Sequence, residues 1–162
     1  MKRSTFPLVW GRYGRVRRWL TPASWSALAK GRETGCAPLA VAVLDDGGHL
    51  KAFAREDGAG ILRPQIAFGK AWGALGMGLG SRNFAKRIAE QPAAPAFFNA
   101  LAAMSEGRVV PVPGGVLIRD GSKEVIGAVG ISGDTSDKDE ACALAGIVAA
   151  GLVGDKIGRA HV

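Results

Sequence analysis

The chain has 162 residues, of which 48% are hydrophobic and 7% aromatic. These proportions predict one globular domain with a core of its own and exclude a disordered chain. The formal net charge is +7, but residues 1–32 hold eight basic side chains and no acidic one, against 13 basic and 14 acidic in the remainder. Because the positive charge belongs to this first segment, the folded body is not expected to bind nucleic acid.

Two further features concern the compartment. No apolar run is long enough to cross a bilayer, and the start of the chain lacks the apolar core of a secretory signal peptide. Cys36 and Cys142 are isolated, at a spacing that does not indicate a metal site. We therefore expect a reduced, cytoplasmic protein without a membrane span.

Residues 1–19 are predicted to form a basic N-terminal arm in which arginines alternate with aromatic side chains. Such a segment either packs its aromatic residues on the body or on a neighbouring subunit, or it binds single-stranded nucleic acid. The first helix is predicted to begin at Thr21, as its N-cap, with Pro22 in the first turn, and to end near Lys30.

A β-hairpin and a long helix are predicted next. Residues 39–44 form a buried strand, residues 45–48 the turn, and residues 49–55 the returning strand. The helix runs from Pro64 to about Gly80. Glycines three or four residues apart share one of its faces, which favours close approach of a sheet, another helix or a flat ligand; they are Gly69, Gly73, Gly76 and Gly80.

The second half of the chain predicts a further hairpin followed by a helix. In order, its elements are a polar, basic segment (81–91), a helix (95–104), an edge strand (109–111), two hairpin strands (114–118 and 125–134) and a helix (136–152). The last helix is predicted to begin with a capping box, in which Ser136 accepts from the amide of Asp139 and the Asp139 side chain reaches back. Because hairpin-length connections dominate, the fold class is α+β, a single domain with helices packed on an antiparallel sheet.

The stretch from residue 113 to residue 152 is the best candidate for a site. Gly127 and Gly130 leave bare backbone on a strand, where another backbone or a flat ligand can approach. The following helix start carries carboxylates that would repel a phosphate and favour a cation, an amine or acid–base chemistry. Acidic residues at a helix N-terminus also simply stabilise the helix dipole, and both interpretations stay open. These residues are Asp134, Asp137, Asp139 and Glu140.

Charged residues in the first half form a second candidate group. Arg55 ends a strand, Asp57 lies in the following loop and Lys70 lies on the long helix, so that Arg55 and Lys70 would clamp a ligand carboxylate or form structural ion pairs. His49 follows the glycine turn and is either a metal ligand or a structural, partly exposed residue.

Six segments in a fixed order resemble the GlcG/HbpS family of haem-binding-like proteins, which also occurs as the C-terminal domain of PduO-type proteins. The similarity spans about residues 20–152, so a GlcG/HbpS-like domain is predicted at 20–153, followed by a tail at 154–162. The segments are residues 41–50 (VAVLDDGGHL), 53–59 (FAREDGA), 70–71 (KA), 113–116 (PGGV), 126–133 (IGAVGISG) and 139–140 (DE).

The resemblance implies a five-stranded antiparallel sheet flanked by helices, and dimers that assemble further, often into octamers. It also implies that haem or a related tetrapyrrole is bound in some members. Haem would lie over the surfaces around Gly114, Gly115 and Gly130, with its propionates at Arg55 or Lys70 and His49 as the axial ligand. Asp57 completes the predicted ligand-binding residues.

Two alternatives accompany this interpretation. In the first, the protein is an enzyme acting on an organic acid, with Arg55 and Lys70 binding the carboxylate and Asp139 or Glu140 moving the proton. In the second, it is an assembly protein whose glycine-rich helix and aromatic arm mediate oligomerisation. The chain departs from the common family pattern at Glu56, where the family often has an apolar residue.

Overall fold

The computed structural model describes residues 13–155, which form five helices and five strands. Residues 1–12 and 156–162 lie outside the described residues, so most of the predicted arm and tail falls there. The helices are α1 (Tyr13–Glu33), α2 (Arg63–Met77), α3 (Arg82–Glu90), α4 (Ala94–Met104) and α5 (Ser136–Ala149). The strands are β1 (Ala40–Asp45), β2 (Leu50–Arg55), β3 (Gly115–Arg119), β4 (Val125–Ser132) and β5 (Val153–Gly154).

All five strands form one antiparallel sheet with the order β2-β1-β4-β3-β5. The predicted α+β class and five-stranded antiparallel sheet are therefore confirmed. The prediction of a strand at 109–111 is wrong. The fifth strand of the sheet is β5. Residues 109–111 instead pack against α2, and the amide of Val110 donates to the carbonyl oxygen of Gly69 in that helix at 3.4 Å.

The two faces of the sheet bury different side chains because successive residues of a strand point to opposite sides. One face packs bulky residues such as Val41, Val43 and Ile131 against α1 and α5. The other packs small residues such as Ala40 and Ala42 against α2.

Small side chains bring α2 very close to the sheet. A Cβ at Gly130 would collide with the carbonyl oxygen of Ala67, and a Cβ at Gly115 with that of Lys70. The backbone of α2 is thus the close partner of both glycine-bearing strands, β3 and β4. Gly69 serves the opposite side of the helix, where a Cβ would lie 2.7 Å from the carbonyl oxygen of Arg108.

The predicted start of α1 at Thr21 is wrong, because the helix begins at Tyr13 and continues through Pro22. Proline inside a helix costs roughly 3 kcal/mol. Close packing on α5 offsets this cost: a Cβ at Gly146 would collide with the carbonyl oxygen of Ala23, and Ala27 is fully buried. Among the helices within residues 13–155, none has the length and apolar character needed to span a membrane.

The polar segment 81–91 folds as α3, which pairs with α4 around a small core of its own. Phe84 and Phe98 are buried, with ring centroids 5.5 Å apart. The start of α5 also differs from prediction, since Thr135 is the N-cap and no side chain caps the helix. Asp139 does reach back, but its Oδ1 accepts from the amide of Asp134 at 3.1 Å.

Candidate functional site

Two of the predicted site residues, Lys70 and Asp139, meet in the interior. Lys70 Nζ donates to Asp139 Oδ2 at 2.7 Å and to the carbonyl oxygen of Ile131 at 2.9 Å, and the side chains are 2% and 1% exposed. Burial lowers the pKa of Lys70 and raises the pKa of Asp139, and in each case the charge of the partner opposes the shift. This pair ties α2 to α5 across the sheet.

The glycines beside this pair leave no space for a ligand. A Cβ at Gly114 would lie 2.8 Å from Lys70 Nζ and 3.1 Å from Asp139 Cβ, and Gly114 has a φ of 117°. The backbone of α2 occupies the positions beside Gly115 and Gly130. The predicted haem surface over these three glycines is therefore filled by the protein itself in this chain.

Glu140 lies one residue beyond Asp139 and has a different partner. Its Oε2 accepts from Arg82 Nε at 2.6 Å, and Arg82 also pairs with Asp137. These hydrogen bonds raise the pKa of Arg82, with the bond to Asp137 as the largest cause. The carboxylates at the start of α5 thus pair with cations of two other helices, Lys70 of α2 and Arg82 of α3.

Arg55 does not join Lys70. Its guanidinium donates to the carbonyl oxygen of Ala59 and so closes the loop after β2, in which Asp57 is exposed. Glu56 at the same loop accepts from the amide of Leu39 at 2.7 Å and pairs with Arg32 at 2.9 Å. Glu56 thus ties the loop after β2 to the end of α1 and to the residue before β1.

His49 lies in the β1–β2 turn, with a side chain 78% exposed. Its Nδ1 lies 3.2 Å from Asp45 Oδ1, and Asp45 also accepts from the amides of His49 and Gly47 and pairs with Lys51. Burial alone would raise the pKa of Asp45, but the hydrogen bond from Lys51 and the other donors outweigh it and lower the pKa. The carboxylate therefore fixes the turn and holds one nitrogen of the His49 ring.

A groove of about 460 Å³ opens between the edge strand β2 and α2. α2 does not cover this edge, so Leu50 and Phe53 stay 51% and 46% exposed. Ala42 of β1 forms the floor, and Phe68 of α2 forms the facing wall. Ligand sites of proteins measure about 300–1,000 Å³ and are mostly apolar, which makes this groove a candidate binding site.

One end of the groove brings three segments together. The guanidinium of Arg108, which follows α4, lies 4.8 Å from the centroid of the Trp72 ring. A Cβ at Gly48 would lie 3.1 Å from that ring, so the turn that carries His49 also lies against Trp72. Arg108 lines the groove together with Glu106 and Gln65.

The structure thus separates the predicted site residues into groups. Lys70, Asp139 and the glycines form a closed interior cluster, whereas Arg55 and Glu140 are held elsewhere by other partners. None of these predicted residues lines the groove, although His49 immediately precedes Leu50, which does. Sequence reasoning missed the groove, although apolar Phe53 on the uncovered side of a hairpin strand was a signal for it.

Comparison with known proteins places this architecture in a family. A sequence model described as "Haem degrading protein HbpS-like" matches residues 23–148. No curated protein matches the chain at a significant level of sequence similarity.

Several solved structures share the fold. A crystal structure of a PduOC:heme complex is 24% identical, with a TM-score of 0.74 over 85% of this chain and 95% of that one. The ORFY protein of Klebsiella pneumoniae is 21% identical, with a TM-score of 0.72 over 93% and 97% of the two chains. HbpS is 25% identical, with a TM-score of 0.68 over 91% and 92%. Since the family model covers most of the sequence and the fold agrees, the chain belongs to the HbpS-like family.

Proposed function

We propose that this protein binds haem or a related tetrapyrrole in the groove between β2 and α2. Membership of the HbpS-like family and the likeness to PduOC, whose structure was solved as a haem complex, support a tetrapyrrole ligand. The observation that carries the proposal is the groove itself, an apolar cleft of about 460 Å³ whose edge-strand residue Leu50 directly follows His49 in the chain.

The residues present fit such a ligand. A tetrapyrrole is flat and apolar with acidic substituents, and it needs an apolar wall, a cation and, for iron, a donor nitrogen. Phe53 and Phe68 supply aromatic walls, and Arg108 supplies the cation. His49 immediately precedes Leu50, which lines the groove.

Asp45 prepares His49 for metal ligation. Because a carboxylate beside Nδ1 favours the tautomer with the proton on Nδ1, Nε2 keeps its lone pair for iron. Carboxylates in this position orient ligating histidines and raise their basicity. Haem iron, when bound, would supply axial-ligand exchange and redox chemistry, which the apolar walls would tune by limiting access of water.

A haemin titration of the full chain tests the proposal. We expect a Soret band that saturates at one haemin per chain, and a shifted, weaker band in His49→Ala. His161→Ala is the matched control, because His161 is the other histidine of the sequence. A His49→Ala spectrum identical to that of the wild type would remove His49 as ligand, and no saturable band in the wild type would contradict haem binding.

A further inference from the structure

We propose that Arg108 is the anchor for a carboxylate of the ligand, in place of the predicted clamp of Arg55 and Lys70. This assignment rests on the proposed function, and it names the substituent that the groove recognises. Four observations carry it: the contacts that hold Arg108, the terminal N–H groups of its guanidinium that no described residue binds, the hydrogen-bonded loop that presents it, and the engagement of the other candidate cations.

Contacts on two sides hold Arg108 in place. Its Nε donates to the carbonyl oxygen of Ser105 at 3.0 Å, and its guanidinium lies over Trp72. Within residues 13–155 no protein acceptor binds the terminal nitrogens of Arg108, although the side chain lines the groove. A stacked guanidinium with free terminal N–H groups suits bidentate binding of a carboxylate, because little side-chain entropy remains to be lost.

The loop before Arg108 is built to a fixed shape. At the end of α4, the amides of Gly107 and Glu106 donate to the carbonyl oxygens of Ala102 and Ala103, at 2.8 and 3.1 Å, as in a Schellman motif. Glu106 occupies the left-handed position with a φ of 54°, where glycine is usual. Unfavourable backbone of this kind is concentrated at functional sites.

A glycine of α2 lets this loop approach the groove. Gly69 has no side chain where the carbonyl oxygen of Arg108 lies, and a Cβ there would be only 2.7 Å away. The missing side chain at Gly69 therefore lets the segment that carries Arg108 pack closely against α2, on the side of the helix that faces away from the sheet.

The other candidate cations are engaged. Lys70 is 2% exposed and bound to Asp139, and Arg55 donates to Ala59. Arg108 is the only cation among the residues that line the groove within the described part of the chain. Glu106 lines the same end and disfavours a second carboxylate close by, so one acidic substituent is expected at this position.

Comparing haemin with haemin dimethyl ester isolates the carboxylate contact, because the two compounds share the macrocycle and the iron. We expect the wild type to bind haemin at least about tenfold more tightly than the ester. In Arg108→Gln this ratio should fall to about one. Arg87→Gln is the matched control, since Arg87 also stacks on an aromatic ring, Phe97, but does not line the groove, and it should keep the wild-type ratio.

The outcomes separate the two proposals. If the wild type binds both compounds equally, or if Arg108→Gln keeps the wild-type ratio, the Arg108 assignment is overturned while tetrapyrrole binding stands. If neither compound binds to the wild type, the proposed function fails and the assignment fails with it.

Discussion

At the scale of single residues, the chain uses most of its buried charge for structure. Lys70 and Asp139 were predicted as a clamp and an acid because their residue types and positions suit chemistry. In the fold, each satisfies the other in the buried interior, where an unpaired charge would be costly. The sequence contains both charges, but their pairing depends on α2 crossing β4, which a local pattern does not reveal.

Replacing Lys70 alone should therefore destabilise the fold strongly. Lys70→Met leaves the Asp139 carboxylate buried without a cation, and we expect a loss of about 3–5 kcal/mol in the free energy of unfolding, measured with urea. The double variant Lys70→Met/Asp139→Leu removes the orphan charge and should recover part of this loss. Equal destabilisation in the single and double variants would show that the charge is not the cause.

Asp45 gives a prediction with a defined pH dependence. Its pKa in the folded state lies below the ordinary value of 3.8, so its contribution to stability is present above that pH and is lost as the pH falls through the folded pKa. Asp45→Asn should cost about 1 kcal/mol at pH 7 and less at about pH 2, below the ordinary pKa of the carboxyl group. Urea unfolding at both values measures this, and a difference that does not depend on pH would contradict it.

At the scale of elements, the hairpins were predictable and several boundaries were not. The residue types of the turns at Asp45–Gly48 and Asp120–Gly121 indicate reversals of the chain, so four strands follow from the sequence. α3 was missed because a single buried aromatic, Phe84, anchors an otherwise polar helix. Val109 and Val110 suggested a strand by propensity, but they pack on the glycines of α2.

The glycines of α2 serve different purposes, and a matched pair of substitutions separates them. A Cβ at Gly76 would meet no neighbouring atom within 4 Å, so Gly76→Ala should raise the free energy of unfolding by up to about 1 kcal/mol. Gly69→Ala places a methyl group 2.7 Å from the Arg108 carbonyl oxygen and should lower it by about 1–3 kcal/mol. Urea unfolding compares the two variants. A lower free energy of unfolding in both would show that α2 is closely packed at Gly76 as well as at Gly69.

At the scale of the whole molecule, fold and family follow from the ordered segments of sequence, whereas the groove does not. Its lining comes from β1, β2, α2 and the loop after α4, segments that only the tertiary fold brings together. His49 was predicted from its residue type, and the structure gives it a carboxylate partner, Asp45. The predicted homo-oligomer, dimer-based and possibly octameric, and the organic-acid enzyme stay predictions.

The most direct test of the account is haemin affinity when the groove is blocked. Gln65 is exposed on α2 and lines the groove, so Gln65→Trp should fill the groove without disturbing the core. Asn99, which is also exposed and lies on α4 away from the groove lining, provides the control variant Asn99→Trp. We expect Gln65→Trp to weaken haemin binding at least about tenfold in a Soret titration, while Asn99→Trp binds haemin as the wild type does. Wild-type affinity in Gln65→Trp would contradict it.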